Sequence, residues 1–568
     1  MGIATMGNSA AALFADGRLI AAVEEERISR LKNDGRFPYN AMKEVLSIAG
    51  ITIEDVSDIA VYWRPWNLRG RLLGVAKKAS RNPIAGFELI KRAINLFVSS
   101  SKTKYVSGKW SDLFFLRSLI SAKFGKCSAR FHYIEHHLSH QLYAEAMRNW
   151  DNSVSLSYDG GGEEDSTIVS FVSKEGRSRI SYNRWPNSLG HFYSTFTGFL
   201  GFKMLEGEYK MMGLAPYGSP IYKDLIMEKI LKIKSDGNYQ LNTKICDYHE
   251  ALRGRFNNKL IEYFGKPRSP NEEPTRQHID LACSVQASFE EAQSSLLRVA
   301  NKRYPEVKNL VLSGGCALNV TANGKVLTNS SFENIIIPPA PHDAGCAIGA
   351  CIAIVKHNTD LKSVRTPYLG RKFTISQIEH ALNTDALPSA KKFDEISLID
   401  NTAQMLADGK IVAWFQGAAE FGPRALGNRS FLADPRKDEI REEINIKIKK
   451  RELFRPFAPS VLFEESQKFF DISQDSPYMN IVARVINKRI PAVTHIDGTA
   501  RVHTVKEADN YLYYRLIKRF GALTGIPVIL NTSFNIQEPI VYSPQNAVDT
   551  FVSSEVDALV IGNYIVRR

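Results

Sequence analysis

The sequence predicts a mixed α/β protein in two parts, and three features carry that reading. Apolar, strand-like runs end in turns rich in Gly or Asp at three places: Ser153 to Tyr158 into Asp159-Gly160-Gly161-Gly162, Leu310 to Leu312 into Ser313-Gly314-Gly315, and Ile335 to Ile337 into Pro338-Pro339 and then Asp343-Ala344-Gly345. Helix-like stretches, Ala317 to Leu327 and Ala347 to Val355, follow the last two. The texture changes after Thr366, where Pro367-Tyr368-Leu369-Gly370 reads as a connector and a new α/β pattern begins at Ala403, so the domains are set at 1–365 and 366–568.

At the head of the chain, Ser9 to Phe14 and Leu19 to Val23 flank Asp16-Gly17, the signature of a β-hairpin. The acidic-basic run Glu24-Glu25-Glu26-Arg27 follows. With 568 residues, 44% hydrophobic and 23% charged, the chain has room for two or three separate cores. The six cysteines form no C-x-x-C pair to suggest a thiolate zinc site or redox motif, and they read as reduced, mostly buried thiols. Met1 to Gly17 has no basic start before its apolar stretch, no 18-residue apolar run occurs, and Met6 breaks the myristoylation pattern, so the expectation is a cytoplasmic chain.

The net charge of +13 is concentrated. Between Arg64 and Arg130 there are 15 Lys and Arg against Glu88 and Asp112, interleaved with Trp63, Trp66, Phe87, Phe97, Trp110, Phe114 and Phe115. A basic, aromatic insertion of this kind suits polyanions or anionic lipid; a solvated helical pair packed through its aromatics is the alternative.

Three turns at strand ends are where an α/β sheet presents backbone N–H groups and helix N-termini to phosphate. Next to them stands His136-His137-Leu138-Ser139-His140 at the start of a helical pattern. His136 and His140, at i and i+4, share one helix face, the spacing with which two imidazoles hold one metal. Asp159 and Asp343, each at a strand end, are the candidates for the third and fourth ligands, and nitrogen plus oxygen donors suit iron, manganese or zinc better than calcium. The alternative is a pair of packing histidines; His137 faces elsewhere.

The second part carries Trp414-Phe415-Gln416-Gly417, then Glu420-Phe421-Gly422-Pro423-Arg424-Ala425-Leu426-Gly427-Asn428-Arg429, then Lys449, Arg451, Arg455 and Arg501. Arginine forks bind phosphate oxygens bidentately and lysine adds a point charge, so several cations near loops imply a polyphosphate ligand. Pairing of Arg424 and Arg429 with carboxylates such as Glu420 is the alternative. The apolar run Ile526 to Leu530 opens into Asn531-Thr532-Ser533-Phe534-Asn535, whose amides and hydroxyls suit a ribose or a carbamoyl amide. No heptad, solenoid period or low-complexity tract is present.

The runs EEERISRLKNDGRFP, HHLSH, YDGGGEE, EGEYKMMGLAPYG, SGGCALNVTANGK, FGPRALGNRSFLADPR, RELFRPFAPS and LNTSFN, in this order, resemble the O-carbamoyltransferases of the nodulation-factor and antibiotic-tailoring type, over essentially the whole chain. The resemblance implies an N-terminal actin-like ATPase domain of the ASKHA, tandem RNase H-like class, similar to the tRNA threonylcarbamoyl-transfer subunit, and a C-terminal YrdC-like domain. It implies that carbamoyl phosphate and ATP, with Mg²⁺, give carbamoyl-adenylate in the second domain. Carbamoyl is then transferred to an acceptor hydroxyl in the first, with release of AMP.

By motif match Fe²⁺ or a similar divalent transition metal is held by His136, His140, Asp159 and Asp343, and Lys32, Asp159, Lys449 and Arg455 are catalytic. The match gives Gly160, Gly161, Leu189, Gly190, Gly314, Gly315 and Asn319 to the intermediate and nucleotide in the first domain. It gives Gln416, Arg424, Lys449, Arg455, Arg501, Asn531 and Ser533 to carbamoyl phosphate and ATP in the second. The partners expected are an acceptor on a sugar, glycan or glycolipid precursor, an anionic membrane or polyanionic acceptor touched peripherally, and a second copy in a homodimer.

Gly7-Asn8 stand where the family has His-Asp, Ala418 where it has Arg, and His503 where Gln is commoner. A tRNA threonylcarbamoyl-transfer enzyme and a catalytically inactive nucleotide-binding relative are the competing readings; the fused second domain and its RALGNRS block argue against the former.

Overall fold

The computed structural model describes residues 1–67, 110–246, 256–355 and 359–568. Most of the basic, aromatic segment expected at 64–130, its residues 68–109, lies outside the described residues. The chain divides into two compact units, Met1–Glu25 with Asn33–Arg365, and Glu26–Lys32 with Thr366–Arg568. Among the described residues no helix is long and apolar enough to cross a membrane.

The first unit contains one five-strand arrangement twice. Strands β1 (Gly2–Ala4), β2 (Ala10–Ala15), β3 (Arg18–Glu24), β4 (Asp58–Val61) and β5 (Arg130–Tyr133) are ordered β3-β2-β1-β4-β5, with β1, β4 and β5 parallel and β1 to β3 an antiparallel meander. Strands β6 (Ser153–Tyr158), β7 (Asp165–Ser173) and β8 (Gly176–Arg184) form a second meander. After a small hairpin, β9 (Leu231–Ile233) with β10 (Tyr239–Leu241), strands β11 (Asn309–Ser313) and β12 (Asn334–Ile336) add to it in parallel, giving β8-β7-β6-β11-β12. The order and sense match strand for strand.

The hairpin β2–β3 turns at Asp16 and Gly17, whose φ angles of 49° and 78° are those of the tight turn that matches strand twist, and short polar Asp and side-chain-free Gly tolerate them best. Every residue of β6 is buried, as expected of a strand near the middle of a covered sheet. The helices His136–Ala146 and Cys346–Val355 approach so closely that a Cβ on Gly349 would lie 1.8 Å from the Ser139 carbonyl oxygen. That contact sets two ligand-bearing segments side by side, since Asp343 directly precedes the second helix.

The second unit is built on one ten-stranded sheet. Its strands are β13 (Lys391–Lys392), β14 (Val412–Phe415), β15 (Arg429–Ala433), β16 (Ala458–Leu462), β17 (Phe470–Asp471), β18 (Ile481–Val485), β19 (Thr499–Val505), β20 (Val528–Ser533), β21 (Ala558–Ile561) and β22 (Tyr564–Arg567). Their order is β13-β22-β21-β14-β15-β20-β16-β19-β18-β17. The helix Tyr511–Thr524, capped by the Asn510 side chain and stopped by Gly525 at φ 70°, packs Tyr513, Leu516 and Phe520 into a core with Trp414, Leu432, Val505 and Ile529.

The segment Glu26–Lys32 joins this unit through arginine-to-carbonyl bonds: Arg27 donates to Gly422, and Arg30 to Ile540 at 2.7 Å and Pro539 at 2.6 Å. The strand expected at Ile526 to Leu530 spans Val528–Ser533, starting two residues later and running further, so Asn531 and Ser533 are strand residues, not loop residues.

Candidate functional site

In the first unit the helix His136–Ala146 presents His136 and His140 on one face, and both rings are buried. His140 Nε2 is 3.0 Å and His136 Nε2 3.3 Å from Asp159 Oδ2, while Asp343 Oδ1 is 3.6 Å from His140 Nε2 and 4.0 Å from His136 Nε2. One donor atom from each of the four residues falls within 4.8 Å of every other. Burial opposes the charge on Asp159, but the facing imidazoles of His136 and His140 outweigh it and hold its carboxyl well below the usual range. The donor set, two buried imidazole nitrogens and two half-buried carboxylates that converge, fits a transition metal. His137 is occupied otherwise, its Nδ1 2.8 Å from Ser157 Oγ and its Nε2 3.0 Å from the Asp165 carbonyl oxygen.

Neighbouring residues fix the ligands. Tyr62, at the end of β4, donates its hydroxyl to Asp343 Oδ2 at 3.2 Å and to the Thr5 carbonyl, which leaves Asp343 Oδ1 turned toward the imidazoles. Glu163 accepts the His136 backbone N–H at 3.1 Å, placing a carboxylate at the helix N-terminus that starts the metal-facing turn. The resemblance gave a role to neither residue, although Glu163 stands in its run YDGGGEE. Tyr62 sits after a strand end as Asp159 does, and Glu163 follows the Gly160-Gly161-Gly162 run, so position was the available signal. At Gly7 an added Cβ would meet Asp343 Oδ2 at 2.0 Å, so the carboxylate fills the space where a side chain at that position would begin.

Three backbone segments close around Asp159. Gly160 N–H donates to Asp159 Oδ1 at 2.6 Å, and a Cβ on Gly315 would lie 2.9 Å from the same oxygen. A Cβ on Gly190 would meet the Gly160 nitrogen at 2.8 Å, and one on Gly314, at φ 89°, the Tyr158 carbonyl oxygen at 2.2 Å. Leu189 and Gly190 open the helix Leu189–Phe199, whose cap Ser188 donates to the Asp159 carbonyl at 2.7 Å and accepts from His191 N–H at 3.1 Å. Gly161 packs against Trp185, where a Cβ would lie 2.7 Å from Cδ1. The Asn319 side chain caps its own helix, accepting from Ala322 N–H at 3.0 Å, and pairs with Gln286 through two 3.0 Å bonds.

In the second unit, Glu420 accepts three backbone N–H groups, from Leu426, Asn428 and Arg429, at 2.8, 2.9 and 3.1 Å. Its carboxylate thus folds the Pro423–Arg429 loop rather than neutralising Arg424. Arg429 is fully buried, donates to the Gln416, Gly417 and Asn428 carbonyls and stacks 3.6 Å from the Phe415 ring centroid. Gln416 spends its amide N–H on the Gly562 carbonyl at 2.8 Å. Ala418 offers only its backbone, accepting from Asn428 Nδ2 at 2.7 Å.

Arg424 and Arg501 differ from these. Each is half-buried, where Arg429 is fully buried and donates through both terminal nitrogens; the Nε atoms of all three are buried without a hydrogen-bond partner among the described residues. Burial alone pushes Arg424 down to about 10. Burial, then the like charges of Arg424, Arg451 and Arg455, drives Arg501 well below its ordinary value. Such a group of cations is arranged to receive an anion.

Lys449 follows the π-turn Ile444–Ile448, whose Ile444 carbonyl accepts the Lys449 N–H at 2.8 Å. Its ammonium is wrapped by oxygens of Ser533 and Asn535, including the Asn535 carbonyl at 2.7 Å and Oδ1 at 3.0 Å. Burial first, and then Arg451, Arg455 and Lys32, depress its pKa strongly. Lys32 belongs to the second unit and adds its charge to those acting on Lys449. Arg455 has Glu452 at 3.8 Å.

A two-unit α/β chain with donors for a metal in one unit and donors for an anion in the other is equipped for group transfer through a charged intermediate. Residues 1–352 match the carbamoyltransferase N-terminus family and residues 403–568 the carbamoyltransferase C-terminus family, and the chain belongs to the carbamoyltransferases, a family of enzymes. It is 38% identical to the uncharacterized Synechocystis protein sll1178 over 99% of this chain and 95% of that one. Nodulation protein NolNO of Sinorhizobium fredii is 35% identical over 99% of this chain and 79% of its own length. The 3'-hydroxymethylcephem-O-carbamoyltransferase of Amycolatopsis lactamdurans is 30% identical over 72% of this chain and 75% of its own.

Proposed function

We propose that the chain is an ATP-dependent O-carbamoyltransferase that works in two half-reactions, one in each unit. The observation that carries this is the division of chemistry on a carbamoyltransferase chain: four metal-type donors converge in the first unit, and half-buried arginines with unpartnered Nε atoms cluster in the second. In the second unit Arg424, Arg455 and Arg501 bind the phosphates of carbamoyl phosphate and ATP. Lys449 holds the Ser533 and Asn535 backbone in place beside them. The phosphate of carbamoyl phosphate leaves as inorganic phosphate on attack by water, and the carbamate oxygen displaces pyrophosphate from the α-phosphorus of ATP.

In the first unit His136, His140, Asp159 and Asp343 would hold iron or a similar divalent ion, which supplies Lewis-acid stabilisation of charge when bound. Gly190, Gly314 and Gly315 let the backbone pack closely around Tyr158 to Gly160, where a Cβ would collide with protein atoms, and this reading sets the phosphate of the intermediate beside that close-packed backbone. Tyr62 keeps Asp343 oriented. The acceptor hydroxyl attacks the carbamoyl carbon, the C–O bond to AMP breaks, and the hydroxyl proton is lost. The name of the Amycolatopsis relative supports a hydroxymethyl-type acceptor; a sugar hydroxyl is the acceptor class put forward here. The same reading takes the repeated five-strand sheet as an actin-like fold, the second unit as YrdC-like and the setting as cytoplasmic.

Labelled carbamoyl phosphate, ATP and Mg²⁺ incubated with a panel of sugar and hydroxymethyl acceptors test the proposal. The expected result is pyrophosphate release that requires carbamoyl phosphate, and label in an acceptor with one AMP per carbamate. Pyrophosphate release indifferent to carbamoyl phosphate would refute it.

A further inference from the structure

On one face of the second unit's sheet, polar side chains form a continuous row. Asn531 Nδ2 on β20 donates to Ser460 Oγ on β16 at 3.0 Å, and Ser460 Oγ lies 2.8 Å from His503 Nδ1 on β19. Alternation along β19 puts Arg501 and Thr499 on this same face. The β16–β19 register pairs Ser460 with His503, and continuing it by two residues sets the small Ala458 beside Arg501; Ala458 also pairs with Asn531. Asn531 and Arg501 thus flank a position with almost no side chain.

His495 joins this face through Thr499. A tight turn brings its N–H to the Thr499 carbonyl at 2.7 Å and its Nδ1 to 3.4 Å from Thr499 Oγ1. The Thr499 hydroxyl gives its proton to Asp497 Oδ1 at 2.7 Å, so its oxygen is left to accept from His495 Nδ1–H. That tautomer leaves Nε2 with a bare lone pair, and Nε2 is buried with no partner. Burial, against the pull of Asp497 and with Arg501 and Arg441 adding to it, pushes the ring down to about 4, so it stays a neutral acceptor near pH 7. Asn531 Oδ1 is a second buried acceptor without a partner.

Two kinds of unmet need therefore meet around this face: the Nε–H donors of Arg501 and of the loop residue Arg424, whose charge acts on Arg501, and the acceptors His495 Nε2 and Asn531 Oδ1. A phosphate satisfies only the donors. A ligand satisfying both must bring N–H groups next to an anion. We propose that His495 Nε2 accepts an N–H of the carbamoyl amino group, and is the specificity residue that separates carbamoyl phosphate from phosphates lacking that amine. This rests on the function proposed above. A buried acceptor left unpaired is what rejects an analogue without the donor. Adenine carries the same N–H chemistry on its amino group, which the test separates.

The full-length protein and its His495→Ala and His495→Gln variants are titrated with carbamoyl phosphate, acetyl phosphate and inorganic phosphate, and with ATP and ITP, with thermal unfolding recorded for each. The expected result is a wild-type preference for carbamoyl over acetyl phosphate of about 10- to 100-fold. His495→Ala loses most of it by weakening carbamoyl phosphate alone, His495→Gln keeps part of it through its amide oxygen, and inorganic phosphate and the ATP to ITP ratio do not change. If His495→Ala weakens carbamoyl and acetyl phosphate equally, or alters ATP against ITP, His495 does not read the carbamoyl amine, although the anion site stands. If the wild type binds none of the three small phosphates, the anion site itself is wrong and the proposal falls with it.

Discussion

Replacing Arg501 with Met is expected to stop carbamoyl-dependent pyrophosphate release and, at the same time, to make the ligand-free protein more stable. Arg501 sits among Arg424, Arg451 and Arg455, and its Nε has no partner, so in the absence of an anion its charge is a cost to the fold. Met keeps the stem's packing and removes the repulsion. A gain on the order of 1 kcal/mol, or roughly 2–4 °C in the melting temperature of a unit this size, is expected. The same change removes a donor to the transferring phosphoryl group, which costs about a hundredfold or more in rate. Pyrophosphate should raise the melting temperature of the wild type and not of the variant. A variant that melts lower yet releases pyrophosphate at the normal rate would make Arg501 a structural residue.

His140→Ala is expected to have the converse profile. His140 Nε2 is the closest imidazole nitrogen to Asp159, and without it one side of the four-donor group is missing. Asp159 and Asp343 are then left facing one another with only His136 between them, so the variant should bind little transition metal and melt lower. Its carbamoylated product should fall by about a hundredfold or more, whereas pyrophosphate release stays near the wild-type rate because no residue of the second unit has changed. Metal analysis, melting and the two product assays read these effects separately.

Much of the centre was legible because it depends on local rules. The i, i+4 pair His136 and His140 and the strand-end Asp159 require only helix and strand periodicity; Asp343, expected at a strand end, instead opens the turn Asp343–Gly345 beyond β12, and the structure brings all four together. The Asp16-Gly17 turn was equally local. The doubled five-strand sheet was not legible from local pattern, because a repeated topology needs only a repeated order of apolar strands and Gly2–Ala4 and Ser153–Tyr158 share no residue pattern; it was expected only through the tandem class that the resemblance implied. Nor could the chain's order show that Glu26–Lys32 packs with residues beyond Thr366, since arginine-to-carbonyl bonds such as Arg30 to Pro539 span more than five hundred positions.

Residue type also hides partnership. Arg424 and Arg429 sit five positions apart in one loop, yet Arg429 is fully buried with its terminal nitrogens given to three carbonyls, and Arg424 is only half-buried. His495 was overlooked for the same reason: its chemistry comes from the Thr499 and Asp497 hydrogen bonds that fix its tautomer, and only the fold supplies them.

The most direct test of the two-step account is to strip wild-type protein with a chelator selective for transition metals, restore Mg²⁺, and follow pyrophosphate and carbamoylated acceptor from the same reaction. The account predicts that pyrophosphate release continues at the untreated rate while carbamoylated product disappears, and that added Fe²⁺ restores the product. If chelation stops pyrophosphate release as completely as it stops product, or leaves both untouched, the division of the reaction between the two units is contradicted.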